Sequence, residues 1–493
     1  MPVPAGDRPP GWLGIDLGTQ SVRALVADAS GRVLGRGSAP LAGHRAAAGR
    51  HEQGPEDWWT GVRTAVRDAL DGLDAAVLGV AVCSTSGTVL LAGPSGEALT
   101  AGLMYDDGRA AAEAAEAQET GAEVWDRLGV RIQPSWALAK ALWLVRRGVA
   151  PGARLAHQAD FVNRRLVGGP VATDSSHALK TGYDLLSESW PMGVFEELGL
   201  DPALLPGVVR PGTVLGAVCR EAAEATGIAE GTPVVAGMTD GCASQLGSGA
   251  LRVGRWNSVL GTTLVLKGVT AEPVRDPAGV MYSHRSPDGT WLPGGASSVG
   301  AGALPAGADL AALDARAAAW EPSTAVAYPL VSRGERFPFL APGAVGFMLG
   351  DPADDGDRHA ALLQGVAFAE RLALAYVGAL GAPVEGPVTF TGGAARSAYW
   401  CQLRADVLGR PARVPEHADP ALGMAILAAC ATQEGPGRPL ADIAESMVRI
   451  RAAVEPRPGG TERFTGSYHR LLDELERRGW LPAEVAAHAR EHG

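Results

Sequence analysis

The chain opens with short apolar runs separated by glycine-containing turns. Residues 12–16, 21–28 and 33–35 are largely apolar, and turns at 17–20 and 29–32 separate them. Apolar runs of this length bounded by glycine are typical of β-hairpins. The pattern therefore predicts that the chain begins with a β-meander.

The same kinds of pattern predict the elements that follow. Apolar residues at helical spacing predict a helix over 55–70, and the continuous apolar run 77–83 predicts a buried strand. A second meander is predicted at 256–267. Farther on, a strand at 387–391 precedes a glycine turn and a helix predicted over 395–408.

The two halves of the chain repeat one arrangement. Each half has a hairpin whose tip is Gly-Thr, at Gly18-Thr19 and at Gly261-Thr262. The repetition predicts an α/β fold of two lobes with a nucleotide cleft between them. We expect an N-terminal lobe over 11–236, a C-terminal lobe over 237–454 and a helical tail over 455–493.

Composition and charge exclude several classes of protein. The 493 residues are 46% hydrophobic and 20% charged, which is ordinary for a folded protein. The net charge of −11 offers no broad positive field for nucleic acid or an anionic membrane, so neither is expected as a partner. The lysines are Lys140, Lys180 and Lys267, and none lies in a G-x-x-x-x-G-K-[ST] string, which excludes a P-loop.

The cysteines and the N-terminal residues favour a cytoplasmic location. The 5 cysteines are scattered without C-x-x-C spacing, which is typical of reduced thiols. Residues 1–10 are proline-rich and lack the apolar stretch of a signal peptide. No uninterrupted apolar run in the sequence reaches membrane-spanning length.

The first turn carries a candidate for metal and phosphate binding. In Asp16-x-Gly18-Thr19 a carboxylate ends a strand beside backbone N–H groups that glycine leaves accessible. A Mg²⁺-bound triphosphate needs both features, oxygen ligands for the metal and amide donors for the phosphate oxygens. The alternative is an ordinary Asp-x-Gly hairpin, which this motif alone does not exclude.

Two turns in the second half suit the same ligand. Gly261-Thr262-Thr263 adds two hydroxyls to a glycine turn, which suits the β- and γ-phosphates. Gly392-Gly393 follows a strand and opens a helix, where the backbone can approach adenosine and its phosphates closely. The alternatives are a plain β-turn for the first and a structural glycine turn for the second.

Charged residues at two further turns are candidates for accepting the proton of a hydroxyl or for binding hydroxyls. Asp240 follows an apolar strand and precedes a glycine, so it could accept the proton of an attacking hydroxyl. The alternative role for Asp240 is a helix N-cap. Asp107 and Arg109 place an acid and a base in one loop, which suits gripping adjacent hydroxyls and equally a surface turn.

Taken together and in this order, the motifs resemble the FGGY family of carbohydrate kinases, within the sugar kinase, Hsp70 and actin superfamily. The resemblance covers about residues 11–475. Its matching pieces are 14–19, 52–59, 105–109, Lys140 with Trp143, Thr173-Asp174, 237–241, 261–263, 334–338, and 392–396 with Trp400. It implies two actin-like, ribonuclease H-like lobes with ATP in the cleft, and a kinase that phosphorylates a small sugar with ATP and Mg²⁺.

The resemblance also implies a role for each matching position. It implies that Asp16 helps to hold Mg²⁺ and contacts the substrate, and that Asp240 is the catalytic base. The residues implied to line the phosphates are Gly18, Thr19, Gly261, Thr262 and Thr263. Those implied to frame the adenosine are Gly392, Gly393, Arg396 and Trp400. Those implied to bind sugar, besides Asp16 and Asp240, are Ser86, Asp107 and Arg109. Packing roles are assigned to Glu52, Trp58, Trp59, Lys140 and Trp143.

Local strings indicate which sugar to expect. Glycerol kinases of the family carry an Arg-Glu pair in the segment 83–88, and typical bacterial xylulokinases carry Gln-Met-His-Gly; this chain has neither. Segments 83–88, 178–184 and 334–338 look most like cyanobacterial and plant kinases that act on D-ribulose. We therefore expect D-ribulose, with xylulokinase or another ketose or polyol kinase as the alternative. His177 stands where many members have Asn.

A binding protein of another class, an Hsp70-like chaperone or an actin-like filament protein, would share the nucleotide motifs. The sequence shows no β-rich peptide-binding module after the second lobe, and it retains the sugar-side candidates. A kinase that acts on a small-molecule sugar is therefore favoured. The sequence does not predict an oligomeric state.

Overall fold

Residues 8–46, 49–433 and 437–493 are described by the structure, a computed structural model, so most of the lead-in at 1–10 lies outside the described residues. They group into two units. Unit 1 comprises Met1–Gly249, His284–Gly289 and His417–Arg449, and unit 2 comprises Ala250–Ser283, Thr290–Glu416 and Ile450–Gly493. The three-part functional division expected from the sequence stays a prediction.

The strands are numbered along the chain. They are β1 (Pro10–Leu17), β2 (Ser21–Ala27), β3 (Val33–Pro40), β4 (His44–Ala46), β5 (Arg50–Gln53), β6 (Ala76–Ser84), β7 (Val89–Ala92), β8 (Gly102–Leu103), β9 (Arg154–His157), β10 (Thr173–Asp174), β11 (Val208–Val209), β12 (Val214–Ala217), β13 (Pro233–Val235), β14 (Trp256–Leu260), β15 (Leu264–Gly268), β16 (Met281–Arg285), β17 (Trp291–Ala296), β18 (Val326–Tyr328), β19 (Phe347–Leu349), β20 (Val388–Thr391), β21 (Ala412–Pro415) and β22 (Ile450–Val454).

The α-helices are numbered in the same way. They are α1 (Pro55–Leu70), α2 (Ala111–Thr120), α3 (Ala122–Leu128), α4 (Ala137–Val145), α5 (Gln158–Val167), α6 (Ser175–Ala178), α7 (Met192–Glu197), α8 (Arg220–Thr226), α9 (Asp240–Ser248), α10 (Leu310–Ala317), α11 (Asp355–Ala379), α12 (Ala398–Leu408), α13 (Pro420–Thr432), α14 (Leu440–Met447), α15 (Gly460–Arg477) and α16 (Ala483–His492).

Unit 1 is built on a six-stranded sheet in the order β12-β13-β6-β1-β2-β3. Strands β1, β2 and β3 form an antiparallel meander, which confirms the predicted opening of the chain. Strand β6 runs parallel to β1, β13 runs parallel to β6, and β12 runs antiparallel to β13. The parallel strands therefore bring their carboxyl ends to the same edge of the sheet.

Unit 2 is built on a seven-stranded sheet in the order β16-β17-β15-β14-β20-β21-β22. Strands β14, β15 and β17 pair antiparallel, β20 runs parallel to β14, β21 parallel to β20, and β22 antiparallel to β21. This is the same succession of pairings as in unit 1. The predicted duplication of an α/β unit is confirmed.

Alternation along β1 decides which side chains meet which helix. Leu13 and Ile15 belong to the core cluster that also contains the buried face of α1. Gly14 lies against α13 so closely that a Cβ at this position would collide with the backbone of Ala421. Because successive side chains of a strand point to opposite faces, Asp16 lies on the same face as Gly14.

The longest helix, α11, belongs to the core of unit 2. By length and composition alone it could cross a membrane, but 94% of its apolar window is buried within the structure. Leu363, Val366 and Phe368 of α11 share a core cluster with residues of α12, α15 and α16. This degree of burial is typical of a core helix.

One predicted helix begins later than expected. The helix predicted at 395–408 is observed as α12, and the residues Gly393–Arg396 before it form a 3₁₀ turn. The Ser397 hydroxyl accepts a hydrogen bond from the Trp400 N–H at 3.0 Å. A serine cap of this kind fixes the first turn of a helix, so the glycine turn and the helix are separate elements.

Candidate active site

Asp16 lies at the carboxyl end of β1 in the middle of the unit 1 sheet. The register pairs Asp16 with Arg23 on β2 and with Cys83 on β6. The residue is only 4% exposed. Arg23 Nη1 donates to Asp16 Oδ2 at 3.4 Å, and Cys83 Sγ lies 3.7 Å from Asp16 Oδ1. Strands on both sides therefore fix the position of this carboxylate.

Burial and a second carboxylate change the titration of Asp16. Burial first, and then the charge of Asp240, raise the pKa of Asp16 to about 7 against the opposing charge of Arg23. A buried carboxylate that repels another carboxylate gains stability when a cation binds next to it. The structure thus brings together Asp16 and Asp240, two site residues that were predicted from the sequence.

Magnesium fits the donor set at Asp16. It is a hard cation that takes oxygen ligands and keeps several waters, and the Asp16 carboxylate supplies oxygens with excess negative charge nearby. In the part of the chain that the structure describes, no group of three or more His, Cys, Asp or Glu side chains could hold a metal. Phosphate and water oxygens would therefore supply the remaining ligands.

The predicted phosphate-binding tip follows Asp16 directly. Gly18 N–H donates to the Ser21 carbonyl at 3.1 Å, which closes the hairpin, and the Thr19 carbonyl accepts from Gln53 Nε2 at 2.7 Å. Both Gly18 and Thr19 are partly exposed. The tip is thus held by its own backbone and by the end of β5.

Asp240 is the first residue of α9, and Thr239 occupies the N-cap position. Asp240 Oδ1 accepts from the Gly241 N–H at 2.7 Å. Upstream, Gly237 lies so close to the Val82 carbonyl that a Cβ would collide with it. Because Thr239 occupies the N-cap position, Asp240 does not have the N-cap role considered as its alternative. The Asp240 carboxylate stands at the positive end of the α9 dipole.

The segment that follows β6 joins the two carboxylate-bearing elements. Ser84, the last residue of β6, pairs with Leu17 of β1 and forms an isolated bridge with Thr239. Ser84 Oγ lies 2.8 Å from His177 Nε2. The segment is therefore fixed to β1, to the start of α9 and to α6.

Ser86, predicted to bind sugar, ends this segment. Its carbonyl accepts from Lys180 Nζ at 3.2 Å, and the preceding residue, Thr85, donates its hydroxyl to Gln158 Oε1 at 2.7 Å. The Ser86 hydroxyl is buried and has no hydrogen-bond partner among the described residues. A buried hydroxyl without a partner is costly unless a ligand or water supplies one, so this oxygen is a candidate contact to substrate.

Asp107 and Arg109 form an internal ion pair. Arg109 donates to Asp107 Oδ1 from Nε at 2.8 Å and to Oδ2 from Nη2 at 2.6 Å, and its Nη1 lies 2.6 Å from Glu52 Oε1. The His51 N–H donates to Asp107 at 2.7 Å. Burial alone would raise the pKa of Asp107, but the hydrogen bonds from Arg109 and His51 hold it below its usual range. These hydrogen bonds therefore stabilise the loop that carries Asp107 and Arg109.

Lys140 is a buried ammonium beneath the same loop. Its Nζ donates to the Met104 carbonyl at 2.7 Å. Burial and the charge of Lys180 lower the pKa of Lys140 to about 7, against the opposing charges of Asp107 and Asp106. Sequence reasoning assigned Lys140 to packing and missed this polar contact. A single lysine in the apolar α4 was the available signal.

Sequence reasoning also missed Arg23 and the ion-pair role of Glu52. The hairpin register could have placed Arg23 opposite Asp16, because Leu17 and Val22 flank a short turn. Glu52 was assigned to packing, yet it completes the charge balance of Arg109. That contact depends on β5 and β8 pairing, which no local pattern predicts.

In unit 2 the two predicted nucleotide turns lie side by side. Gly261 to Thr263 form the tip between β14 and β15, and Gly261 N–H donates to the Thr263 carbonyl at 3.2 Å. Gly392 has a φ of +82° and lies against the Leu260 backbone, where a Cβ would meet the Leu260 nitrogen at 3.0 Å. Thr262, Gly392 and Gly393 are exposed. Together they place a threonine hydroxyl and glycine backbone on one exposed surface of unit 2.

The two remaining predicted nucleotide residues differ in exposure. Arg396 is exposed at the end of the 3₁₀ turn. Trp400 is 3% exposed within a core cluster of unit 2, and its Nε1 donates to the Leu363 carbonyl at 3.2 Å. This placement favours a packing role for Trp400, whereas Arg396 is available to a ligand.

Comparison with known proteins places these features in a family. Residues 11–247 match the N-terminal domain, and residues 256–432 the C-terminal domain, of the FGGY family of carbohydrate kinases. A xylulose kinase from Streptomyces rubiginosus is 33% identical over 431 residues, which cover 85% of this chain and 87% of that protein. An autoinducer-2 kinase from Enterobacter sp. is 30% identical over 498 residues, with 92% of each covered.

A solved structure agrees with the sequence comparisons. The crystal structure of xylulose kinase from Rhodospirillum rubrum superimposes with a TM-score of 0.84 at 27% identity, covering 95% of this chain and 99% of that one. The two family matches together span well over half of the chain. The chain is therefore a sugar kinase that belongs to the FGGY family of carbohydrate kinases.

Proposed function

We propose that this sugar kinase transfers the γ-phosphoryl group of ATP, with Mg²⁺, to a hydroxyl of D-xylulose. The observation that carries the transfer chemistry is the pairing of two carboxylates in unit 1, Asp16 and Asp240, of which Asp16 has its pKa raised to about 7. The choice of sugar is supported by relatives and a solved structure that are named as xylulose kinases.

Asp240 is assigned the role of base. Phosphoryl transfer needs little covalent chemistry from the protein beyond positioning, charge stabilisation and removal of one hydroxyl proton. The Asp240 carboxylate lies at the N-terminus of α9, where it is placed to accept that proton. Asp240 also lies near a second carboxylate, so a proton taken up there relieves repulsion.

Asp16 is assigned to the metal and the substrate. The Asp16 carboxylate would hold Mg²⁺, which would supply positive charge to neutralise the charge that develops on the transferred phosphoryl group. The tip residues Gly18 and Thr19, together with the exposed turns of unit 2 at 261–263 and 392–396, are assigned to the nucleotide. Backbone N–H groups in such turns bind phosphate oxygens.

D-Ribulose is the second candidate, as the sequence strings indicated. The specific observation that favours it is the segment Ser84-Thr85-Ser86, which differs from the Gln-Met-His-Gly string of typical xylulokinases and presents a buried hydroxyl without a partner at Ser86. The comparisons favour D-xylulose over D-ribulose. The two ketopentoses differ in the configuration of one hydroxyl, so few contacts would separate them.

A coupled assay of ADP release across a sugar panel tests the proposal. The panel contains D-xylulose, D-ribulose, L-ribulose, glycerol, ribitol and gluconate, each with and without Mg²⁺. The proposal predicts the highest kcat/KM for D-xylulose and no turnover without the metal. A clear preference for D-ribulose would establish the second candidate, and turnover of only gluconate or glycerol would reject both ketopentoses.

A further inference from the structure

A chain of hydrogen bonds runs from an acid through a histidine to the end of β6. His177 is fully buried in α6. Its Nδ1 lies 2.6 Å from Asp174 Oδ2, and its Nε2 lies 2.8 Å from Ser84 Oγ. Asp174 also caps α6 by accepting the His177 N–H at 2.9 Å. Both ring nitrogens of His177 are therefore engaged, and neither is free for a substrate.

The same short segment also holds the element that carries Asp240. Ser176 Oγ accepts from the Thr239 N–H at 3.2 Å and lies 3.1 Å from Thr239 Oγ1. Ser84, at the other end of the His177 contact, bridges to Thr239 and pairs with Leu17 next to Asp16. Residues 174–177 thus connect the segment next to Asp16 with the segment that carries Asp240.

The protonation state of His177 decides which groups donate and which accept in these hydrogen bonds. In the neutral ring, Nδ1–H donates to Asp174 and Nε2 accepts the Ser84 hydroxyl proton. In the imidazolium, both nitrogens donate, Ser84 becomes the acceptor, and the contact to Asp174 becomes a buried ion pair. The imidazolium therefore makes the tighter connection.

The charged groups around His177 favour the imidazolium. Burial alone would lower the pKa of His177, but the carboxylate of Asp174, and then that of Asp160 on α5, raise it. The ring of His157 lies with its centroid 5.8 Å away and is itself bonded to Asp160 at 2.9 Å. On the β6 side the facing groups are the hydroxyl and the carbonyl of Ser84.

We propose that His177 is a positioning residue for phosphoryl transfer, which holds the segments bearing Asp16 and Asp240 in register through Ser84 and Asp174. The inference rests on the proposed function, because it presumes that these two carboxylates perform the chemistry. It assigns His177 no contact with substrate. The protonated ring fixes the register, and loss of its proton loosens it.

The sign of the pH dependence follows from the raised pKa. Stabilisation by the His177–Asp174 pair is fully present below the ordinary histidine pKa of 6.5 and is lost as pH rises through the raised value in the folded protein. The turnover rate should therefore fall on the alkaline side in the wild type. A small misplacement of catalytic groups by a distant change can cost up to about 100-fold in rate.

The test compares the pH profile of kcat in wild type, His177→Asn, Asp174→Asn and His157→Asn at saturating sugar and ATP. His177→Asn keeps a hydrogen bond to Asp174 but cannot reach Ser84 or titrate. It should lower kcat by roughly 10- to 100-fold with sugar and ATP KM little changed, and its profile should lack the alkaline decline. Asp174→Asn keeps the cap but removes the charge, so the decline should move to lower pH.

His157→Asn is the matched control. His157 is equally buried and bonds Asp160, Thr173 and Thr181, and none of these three hydrogen bonds reaches β6 or the start of α9. It should cost comparable stability and leave the profile of kcat unchanged. An unaltered alkaline decline in His177→Asn, or an equal loss of kcat in His157→Asn, would overturn the proposal.

Asp174→Asn keeps the test decisive if His177→Asn fails to fold, because Asn caps a helix as well as Asp. An alkaline decline that stays at its wild-type position in this variant would overturn the proposal by itself. Asp240→Asn separates this inference from the proposed function. Full activity of Asp240→Asn would reject the base assignment, whereas an inactive Asp240→Asn beside a fully active His177→Asn would reject only the positioning role.

Discussion

Arg23 and Asp16 face each other across the first hairpin, with Arg23 Nη1 at 3.4 Å from Asp16 Oδ2. The guanidinium side chain is 56% exposed and the carboxylate side chain is 6% exposed. Arg23 is the positive group that opposes burial and Asp240 in setting the pKa of Asp16. Arg23 is therefore the charged partner that makes Asp16 lose its proton more easily.

Arg23→Gln should raise the pKa of Asp16 above its wild-type value of about 7. Removing this positive charge leaves only the Cys83 hydrogen bond to oppose burial and Asp240, so the carboxyl keeps its proton to higher pH. The acidic limb of kcat/KM for ATP, which reports the free enzyme, should move to higher pH. Arg32→Gln is the control, because the exposed Arg32 pairs with Asp28 at 3.6 Å on the same meander. A limb that stays in place in Arg23→Gln contradicts the pairing.

The raised pKa of the Asp16 carboxyl makes the free energy of unfolding fall as pH rises, whereas the lowered pKa of a salt-bridged aspartate makes it rise. Because the folded pKa of Asp16 lies above the ordinary aspartate value of 3.8, the unfolded chain loses this proton first as pH rises. The free energy of unfolding therefore decreases between these two values, and Arg23→Gln should extend the decrease to higher pH. Urea titrations across this range measure the effect directly.

Ser86→Ala should raise the KM for sugar without changing the KM for ATP. The Ser86 hydroxyl is buried without a protein partner, so the proposed substrate contact is the one lost. A single hydrogen bond contributes about 0.5–1.5 kcal/mol, which corresponds to roughly a 2- to 10-fold change in KM. Thr100→Ala is the control, because its hydroxyl already accepts from the Leu91 N–H at 3.0 Å. Equal changes in both KM values, or none, would show that Ser86 does not bind sugar.

The fold was more predictable than the site because its signals are local. The opening meander follows from apolar runs and glycine turns that lie within a few residues of one another. The contact between Ser84 and His177 joins residues 93 positions apart, so it becomes visible only when β6 and α6 are placed in space. No periodicity in either segment indicates that contact.

The same limit explains which contacts among the candidate site residues could be expected from the sequence. Asp16 ends β1 and Asp240 lies shortly after β13, two strands that the pattern predicted, so their meeting follows from the parallel strands β1, β6 and β13. Glu52 on β5 contacts Arg109 in the loop after β8, and β5 pairs with β8, a strand distant in the sequence. The resemblance implied that Trp400 frames the adenosine, whereas its position on α12 places the side chain in a core cluster of unit 2.

Glu370→Gln should strongly destabilise unit 2. Arg404 donates to Glu370 from Nε at 2.7 Å and from Nη2 at 2.8 Å, and both side chains are fully buried. Removing one charge leaves the other buried and unpaired, which costs about 3–5 kcal/mol. Chemical denaturation monitored by tryptophan fluorescence measures the loss. The control is Glu224→Gln in the exposed pair with Arg220, where about 0–1 kcal/mol is expected.

A compensated variant sharpens that measurement. Replacing both partners, Glu370→Leu with Arg404→Met, removes the buried charges together and should recover much of the stability lost in Glu370→Gln. The recovery should be incomplete, since Arg404 also donates to Ser258 at 2.9 Å and lies 3.7 Å from the ring centroid of Phe390. A double variant less stable than the single one would contradict the assignment of the loss to an unpaired charge.

Asp240→Asn should lower kcat by about 10²–10⁴-fold, the usual contribution of a general base. The change keeps size and an oxygen that can accept from Gly241, but it removes the basic carboxylate. Because the transition state of phosphoryl transfer is loose, with little deprotonation of the nucleophile at an early stage, the loss could lie at the low end of that range. Binding of sugar and ATP, measured by calorimetry, should survive, and thermal melting should match the wild type.

Two further measurements separate this base from a structural aspartate. Asp309→Asn is the matched control, since Asp309 caps α10 by accepting from the Ala312 N–H at 3.1 Å, and it should leave kcat unchanged. Asp240→Asn should also lower the pKa of Asp16, because the charge of Asp240 is one of the causes that raise it. The acidic limb of residual activity should then move to lower pH. If Asp240→Asn melts like the wild type and turns over sugar at a rate close to it, the base is another residue, and the pairing with Asp16 serves only to bind the metal.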